Sequence, residues 1–159
     1  MDHDEHARGV IIESGASDWQ IFQQDRNGQA RIHLSGRWIA NEERTPLSVI
    51  VHARIVRENG YEAVAAGLDW RAADTRADGT WEIELSGVPG GGLYRVETCL
   101  QLNKGPIEWA CRGDMVHHIG VGDIWIITGQ SNAAGYGKTP VEDAPELGVH
   151  MFAADGKWK

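Results

Sequence analysis

Residues 47–55 read LSVIVHARI, and apolar residues occupy every second position of this stretch. In an extended chain, side chains two positions apart point to the same face. One face therefore carries Leu47, Val49, Val51, Ala53 and Ile55, and the opposite face carries Ser48, His52 and Arg54. This alternation is typical of a β-strand with one buried face, and the buried face predicts a second sheet packed against it.

The same alternation recurs on both sides of this strand. It is present at residues 31–35, 81–85 and 94–102, and sequences rich in Gly, Asn, Asp or Pro separate these runs at 25–28, 58–60, 77–79 and 89–92. Asn-Gly and Asp-Gly pairs tolerate positive φ and so reverse the chain tightly between neighbouring strands. The pattern predicts a mainly β chain with an antiparallel β-sandwich of roughly seven strands.

Tyr94 favours an immunoglobulin-like version of this sandwich. It follows Gly91, Gly92 and Leu93 and opens the alternating run that ends at residue 102. In immunoglobulin-like domains a Tyr near the start of a late strand forms the tyrosine corner, where its hydroxyl donates a hydrogen bond to the backbone upstream. We therefore expect immunoglobulin-like topology, for which the alternation is the stronger of the two signals.

The sequence pattern changes at Val121. Residues 124–127 read IWII, a continuous apolar run. A strand that is apolar on both faces is typical of a parallel sheet covered on both sides. Small and polar residues from 130 to 137 suit a turn into a helix, and residues 148–152 suit a second strand. These features predict the first strand-turn-helix-strand of an α/β domain.

This second unit is too short to be a whole domain, because each strand–helix unit of a parallel sheet takes about 30 residues. We divide the chain into an N-terminal arm at 1–18, the β-sandwich at 19–120, and the start of an incomplete α/β domain at 121–159. The apolar run of the incomplete unit predicts self-association unless a partner chain covers it.

Ser131 is a candidate nucleophile. It follows the apolar run and is flanked by Gly129, Gln130 and Asn132. In α/β proteins ligands bind at the carboxyl ends of the strands, and the N-terminus of the next helix offers N–H groups that can stabilise an oxyanion. The nucleophile motif of α/β-hydrolases, G-x-S-x-G, fits poorly because residue 133 is Ala.

The segment GDIWIITGQSN at 122–132 resembles the first block of the SGNH-hydrolase superfamily, in its sialate O-acetylesterase-like branch of carbohydrate esterases. In that branch G-Q-S-N follows a G-D-[IV]-W strand, and a β-sandwich frequently precedes the catalytic domain. HMF at 150–152 and DGKW at 155–158 resemble the next strand and turn. The specific resemblance covers about the last quarter of the chain, and Ala133 departs from it, since many members have Met there.

The resemblance implies a flavodoxin-like α/β domain that hydrolyses acetyl esters on sugars through an acyl-serine intermediate. Ser131 would be the nucleophile, and its backbone N–H would donate to the oxyanion. Gly129, Gln130 and Asn132 would shape the turn and the site. The family's base is a His three residues after an Asp, and no such pair follows Ser131. We therefore expect this chain to be a fragment that lacks the catalytic Asp and His.

Other functions stay open for the predicted sandwich. The chain has seven Trp against three Tyr and two Phe, which indicates either buried core residues or a platform that stacks on sugars. Exposed side chains among Trp19, Trp38, Trp70 and Trp109 would favour a non-catalytic carbohydrate-binding module. Buried ones would favour a scaffold that supports the catalytic domain.

Composition and charge limit the classes of partner that this chain could bind. The net charge of −8 argues against nucleic acid or an anionic membrane as the main partner. No apolar run approaches the roughly 20 residues that a membrane span needs. The expected partner is an acetylated carbohydrate substrate.

Cysteine and histidine spacing predict neither a metal site nor a cofactor. No pair matches the spacing of a zinc site, and His117-His118 is the one adjacent pair. Cys99 and Cys111 flank a predicted turn and form either two free thiols, which we favour, or a cross-strand disulfide. The acidic start of the chain is not a secretory signal, so a cytoplasmic location is the default, and export would require that a signal was removed.

Overall fold

The computed structural model describes residues 9–40, 48–131, 133, 144 and 146–159, and this part of the chain is mainly β, with no α-helix. Nine strands are assigned within it. They are β1 Gly9–Ser14, β2 Ile21–Gln23, β3 Gln29–Ile39, β4 Val49–Arg57, β5 Arg71–Ala72, β6 Asp74–Thr75, β7 Thr80–Pro89, β8 Gly91–Leu102 and β9 Cys111–Gly122. A 3₁₀ turn at Ile107–Trp109 precedes β9.

The strands form two sheets that share one core. The four-stranded sheet has the order β1-β3-β7-β6, and the five-stranded sheet has the order β2-β9-β8-β4-β5. Both sheets contribute fully or almost fully buried side chains to one cluster, among them Ile32, Leu34, Trp81 and Leu85 from the first and Val51, Ile55, Tyr94 and Val96 from the second. Burial of each large apolar side chain contributes about 1.5–3 kcal/mol, so this shared core holds the sheets face to face.

The strand predicted from residues 47–55 is confirmed in the described part. Val51, Ala53 and Ile55 have no exposed surface, and Val49 is partly buried. Leu47 lies outside the described residues. Because side chains alternate with period two, a one-residue slip of β4 would expose the whole stripe, and the core therefore fixes the register.

One pairing corrects the expectation of purely antiparallel sheets. β2 pairs with β9 in parallel, with Ile21 opposite Gly120 and Gln23 opposite Gly122. The other pairs are antiparallel. A tight hairpin forces neighbouring strands to be antiparallel, whereas β2 and β9 are joined by a connection that spans most of the chain. Their relative direction is therefore not set by a turn.

β1 lies within the N-terminal arm predicted over residues 1–18, and it belongs to the four-stranded sheet. Val10 is opposite Trp38 on β3 and is almost fully buried. The carboxylate of Asp114 on β9 accepts a hydrogen bond from the Ile12 N–H at 3.0 Å, which ties β1 to the other sheet. Residues 1–8 lie outside the described part.

Tyr94 makes the hydrogen bonds that its position suggested. Its hydroxyl lies 3.2 Å from the carbonyl oxygen of Pro89 and 3.3 Å from that of Gly90, so it donates back to the turn that precedes β8. Burial raises the pKa of this phenol above its ordinary value. The neutral phenol therefore keeps its proton for the hydrogen bond.

The strands predicted beyond Val121 are not formed. Ile124, Trp125, Ile126 and Ile127 have no strand assignment and are 44%, 83%, 87% and 83% exposed. No layer covers this run in the described part of the chain, so the two-sided burial that a parallel strand requires is missing. Most of the helix predicted after residue 130 falls on residues outside the described part.

The second predicted strand, at 148–152, is replaced by a small antiparallel unit. Phe152 and Trp158 form an isolated antiparallel bridge, and Met151 and Lys159 exchange two backbone hydrogen bonds of 2.9 Å. The turn residues of the DGKW sequence fold the chain back on itself within this unit. It pairs locally rather than with a parallel neighbour.

Cys99 and Cys111 are free, which confirms the favoured prediction of two thiols. Cys111 lies opposite Leu100, which points into the core, whereas Cys99 is the residue before Leu100 on β8 and faces the other way. Two side chains on opposite faces of a sheet do not meet the geometry of a disulfide.

Candidate functional site

The end of β9 is anchored to β2. The carboxylate of Asp123 accepts hydrogen bonds from the amide groups of Gln23 and Gln24 at 3.1 and 3.2 Å. The Gln23 amide oxygen accepts a hydrogen bond from the Ile124 N–H at 2.8 Å. Beyond this anchor the chain leaves the five-stranded sheet and enters the segment that carries Ser131.

Gly129, Gln130 and Ser131 form an exposed turn. The carbonyl of Gln130 accepts a hydrogen bond from the Ala133 N–H at 3.0 Å. Gly129 has φ 153°, and a Cβ there would lie 3.2 Å from the Ala133 Cβ, so this position favours glycine. Ser131 is exposed in this turn, and Asn132, the fourth predicted site residue, lies outside the described part.

In the described part of the chain, no histidine or carboxylate is hydrogen-bonded to the Ser131 hydroxyl. Asp114 and His117 have D-x-x-H spacing, but their side chains are engaged elsewhere. Asp114 accepts from the β1 backbone, and His117 Nδ1 lies 2.9 Å from Glu58 Oε1. The turn therefore presents a hydroxyl without an activating base, and such a hydroxyl is a poor nucleophile at neutral pH.

A second group of polar side chains, which sequence reasoning did not find, surrounds Glu58. Its Oε2 accepts a hydrogen bond from the His118 N–H at 2.9 Å, in addition to the contact with His117. Burial alone would raise the pKa of Glu58, but these hydrogen bonds and the charges of the two imidazoles outweigh it and lower the pKa. Glu58 is therefore held as a carboxylate.

Trp19 extends this group towards the C-terminal end of the chain. Its ring stacks on His118 at a centroid distance of 4.0 Å, and His150 meets it edge-on at 5.4 Å. Trp19 and His118 both have positive φ, at 67° and 59°, which is uncommon for residues other than glycine and marks local strain. The adjacent His117-His118 pair is the one sequence signal that could have indicated this cluster.

The outer face of the five-stranded sheet carries a further charged cluster. Glu97 on β8 binds Arg54 and Arg95 through both carboxylate oxygens, and all three side chains are nearly buried. Two guanidinium groups lie over the ring of Trp70, with their Cζ atoms 4.4 Å (Arg54) and 4.9 Å (Arg112) from the ring centroid. Arg95 also donates to two backbone carbonyls after β4. These contacts fasten the β4–β5 connection to the sheet.

Some of the Trp side chains make contacts within the fold, and one is exposed. Trp38 is partly buried and donates to the carbonyl of Arg76 at 3.0 Å, and Trp19 and Trp70 are partly buried in the stacks described above. Trp109 is 86% exposed in the 3₁₀ turn. Of the four Trp residues considered for sugar stacking, three therefore hold parts of the fold together.

Neither a metal cluster nor a membrane-crossing helix is present in the described ranges. No group of three or more His, Cys, Asp or Glu side chains there has the geometry of a metal site. Those ranges also contain no helix long and apolar enough to cross a membrane. Neither a protein-family model nor a curated protein matches this chain.

Proposed function

We propose that Ser131 is the nucleophile of a carbohydrate O-acetylesterase of the SGNH type, similar to sialate O-acetylesterases. The observation that carries this proposal is the turn at residues 129–131. It exposes a serine hydroxyl two residues after a glycine of positive φ, within a sequence block that resembles the nucleophile block of that family. The substrate class is an acetylated sugar, and neither a cofactor nor a metal is required.

In the proposed reaction the Ser131 Oγ attacks the acetyl carbonyl while a base accepts its proton, and the sugar hydroxyl leaves. Water then hydrolyses the acyl-serine and releases acetate. The Ser131 backbone N–H is one donor to the oxyanion, and Gln130 and Asn132 shape the site.

The general base of this proposal comes from polypeptide outside these 159 residues. His150 is the one histidine after Ser131, and both of its ring nitrogens face backbone carbonyl oxygens. The His117 ring is hydrogen-bonded to Glu58, and the His118 ring stacks on Trp19. The 159-residue chain would then supply the nucleophile and a β domain, but not the complete catalytic group.

We further propose that the β domain is an immunoglobulin-like sandwich that acts as a scaffold. The hydrogen bonds from Tyr94 back to Pro89 and Gly90 support the immunoglobulin-like assignment. The scaffold role is supported by the internal contacts of Trp19, Trp38 and Trp70. A carbohydrate-binding module is the alternative, and the exposed ring of Trp109 is the observation that favours it.

The test measures hydrolysis of para-nitrophenyl acetate, acetate release from O-acetylated glycans, and labelling by a fluorophosphonate. In the 159-residue chain, wild type and Ser131→Ala should be indistinguishable in all three. A longer polypeptide that carries this chain together with a D-x-x-H segment should be active and labelled. Ser131→Ala should remove several orders of magnitude of its rate.

Thr128→Ala is the matched control, because it removes a hydroxyl from the same exposed segment. The control should keep activity and labelling in the longer polypeptide. Activity that survives Ser131→Ala there would show that Ser131 is not the nucleophile. Ser131-dependent turnover by the 159-residue chain alone would show that the base lies within it.

A further inference from the structure

Arg112 presents a guanidinium group on the outer face of the five-stranded sheet. It lies opposite Cys99 in the β8–β9 ladder, and cross-strand partners point to the same face, which here is the face away from the core. Its Cζ lies 4.9 Å from the centroid of the Trp70 ring, and the residue is exposed. Contact with the indole limits the conformations of this side chain, so less conformational entropy is lost when the guanidinium binds a ligand.

Arg112 has no carboxylate partner in the described part of the chain. Other arginines there do form ion pairs with carboxylates, namely Arg31, Arg37, Arg54, Arg76 and Arg95. The thiol of the neighbouring Cys99 does not compensate the charge either, because burial raises its pKa to about 11 and it stays neutral. A guanidinium has five N–H donors, and those of Arg112 are therefore available to a ligand.

The charged groups in contact around Trp70 leave one positive charge uncompensated. The Arg54 guanidinium, which lies over the same ring, is ion-paired with Glu97 and, at 3.6 Å, with Asp69. Glu97 also pairs with Arg95. Three guanidinium groups are thus connected to two carboxylates, in a chain whose net charge is −8. Two guanidinium groups beside one ring repel each other, and a bound anion would offset that repulsion.

We propose that Arg112 binds the carboxylate group of a small ligand on the outer face of the five-stranded sheet. The two oxygens of a carboxylate match the guanidinium fork, so the pair can form two parallel hydrogen bonds. A carboxylate carries one negative charge, which equals the excess at this site, whereas a phosphate monoester carries about −1.5 to −2. The Trp70 indole N–H has no acceptor among the described residues and is accessible to solvent, so it offers the ligand a further donor.

The affinity of this site should be modest and sensitive to salt. A ligand of about a dozen non-hydrogen atoms typically reaches a Kd of roughly 1 mM. Because Arg112 is exposed, added salt screens its charge and should raise the Kd. This inference is independent of the catalytic role proposed for Ser131, since the residues that carry it belong to the two sheets and the connection before β5.

Nuclear magnetic resonance of the ¹⁵N-labelled 159-residue chain tests this site. Sodium D-glucuronate, sodium propionate and D-glucose are titrated at constant ionic strength, and the indole N–H signals of Trp70 and Trp109 are assigned from the Trp70→Phe and Trp109→Phe variants. We expect glucuronate to shift the Trp70 signal saturably with a Kd of roughly 1 mM, and glucose to leave it unchanged. The Trp109 signal should not move, because no arginine of the described ranges lies over its ring.

The two carboxylates separate a simple acid from a sugar acid as the ligand. Propionate that binds as tightly as glucuronate would show that the carboxylate alone is recognised. Glucuronate that binds at least about tenfold more tightly would show that the sugar ring is recognised as well. Both results support the proposal, because the carboxylate is the group that they share.

Arg112→Gln is the decisive variant, and Arg26→Gln is its matched control. Each removes the charge of an exposed arginine, but Arg26 lies in the turn between β2 and β3. Arg112→Gln should weaken glucuronate binding at least about tenfold, and Arg26→Gln should leave it unchanged. Wild-type signal positions in the rest of the spectrum show that each variant is folded. The proposal is overturned if neither carboxylate shifts the Trp70 signal saturably, if glucose shifts it equally, or if Arg112→Gln binds glucuronate as tightly as the wild type.

Discussion

Glu97 lies at the centre of a buried ion-pair cluster, and its removal should cost a large part of the stability of the fold. Its side chain is 10% exposed, and those of Arg54 and Arg95 are each 13% exposed. Arg54 donates to Oε2 from Nε at 2.8 Å and Nη2 at 2.7 Å, and Arg95 donates to Oε1 from Nε at 2.8 Å and Nη2 at 2.6 Å. Glu97→Ala would leave two guanidinium groups with little water and without the carboxylate that they share.

Removal of one partner of a buried ion pair typically destabilises a protein by about 3–5 kcal/mol, because the remaining charge stays buried. We expect a loss of this size for Glu97→Ala, which corresponds to a decrease in Tm of roughly 6–20 °C for a chain of this length. The matched control is Glu82→Ala. Glu82 pairs with Arg76, but its side chain is 41% exposed, so the expected change is below about 1 kcal/mol. Urea unfolding followed by tryptophan fluorescence measures both.

The pH dependence gives a second test of the same cluster. Burial acts to raise the pKa of Glu97, but the hydrogen bonds and charges of Arg54 and Arg95 outweigh it and lower the pKa below its ordinary value of 4.5. A carboxyl with a lowered folded-state pKa stabilises the fold above its ordinary pKa and loses that contribution as the pH falls through the folded-state value. The stability difference between wild type and Glu97→Gln should be full at neutral pH and shrink below pH 4.5. Equal losses in Glu97→Ala and Glu82→Ala, or a difference that is constant with pH, would refute this reasoning.

Three further changes test other parts of the chain. Burial raises the pKa of the Cys99 thiol to about 11. An alkylating reagent at about pH 8 should therefore modify Cys111 before Cys99. When alkylation is followed over time by mass spectrometry, Cys111→Ser should lose the fast phase of modification. Equal rates for the two thiols would contradict this. Gly113→Ala should destabilise the fold by roughly 1–3 kcal/mol in thermal unfolding, because the added Cβ would lie 2.6 Å from the Cβ of Val10 on β1. Gly60→Ala is the control and should have little effect, because no atom lies within 4 Å of the added Cβ. Ile126→Ser should weaken concentration-dependent association in sedimentation velocity, because Ile126 is 87% exposed; unchanged sedimentation would exclude this run as the contact.

The strands that could be predicted from the sequence are those whose buried side chains alternate. β4 and β7 show this pattern clearly, and Val51, Ile55, Trp81 and Leu85 are buried as expected. β1 shows no such alternation, because its apolar residues Val10, Ile11 and Ile12 are consecutive. Its place depends on pairing with β3 and on a hydrogen bond to Asp114, 102 residues away. Local periodicity carries no information about a contact of that range.

The candidate site also has one part that the sequence could indicate and one part that it could not. The turn at Gly129, Gln130 and Ser131 could be predicted from local residue types, because glycine has no Cβ and adopts positive φ without a clash. The cluster of Glu58 with His118 and Trp19 joins three separate parts of the chain, and their proximity depends on the sheet order β2-β9-β8-β4. Short-range spacing could not indicate it.

The exposed run Ile124–Ile127 explains why the conformation of the Ser131 segment is not set by the two sheets alone. Covering four large apolar side chains contributes about 1.5–3 kcal/mol each, or roughly 6–12 kcal/mol before the cost of ordering the polypeptide that covers them. This is as large as the net stability of a typical domain, about 5–15 kcal/mol. A covering layer would therefore decide whether residues 124–127 become a strand. The anchors at Asp123 and His150 fix only where the chain leaves the sheets and where it returns. The stability of the β domain and the reactivity proposed for Ser131 should consequently respond to different changes. Glu97→Ala should affect the first, and a layer over Ile124–Ile127 should affect the second.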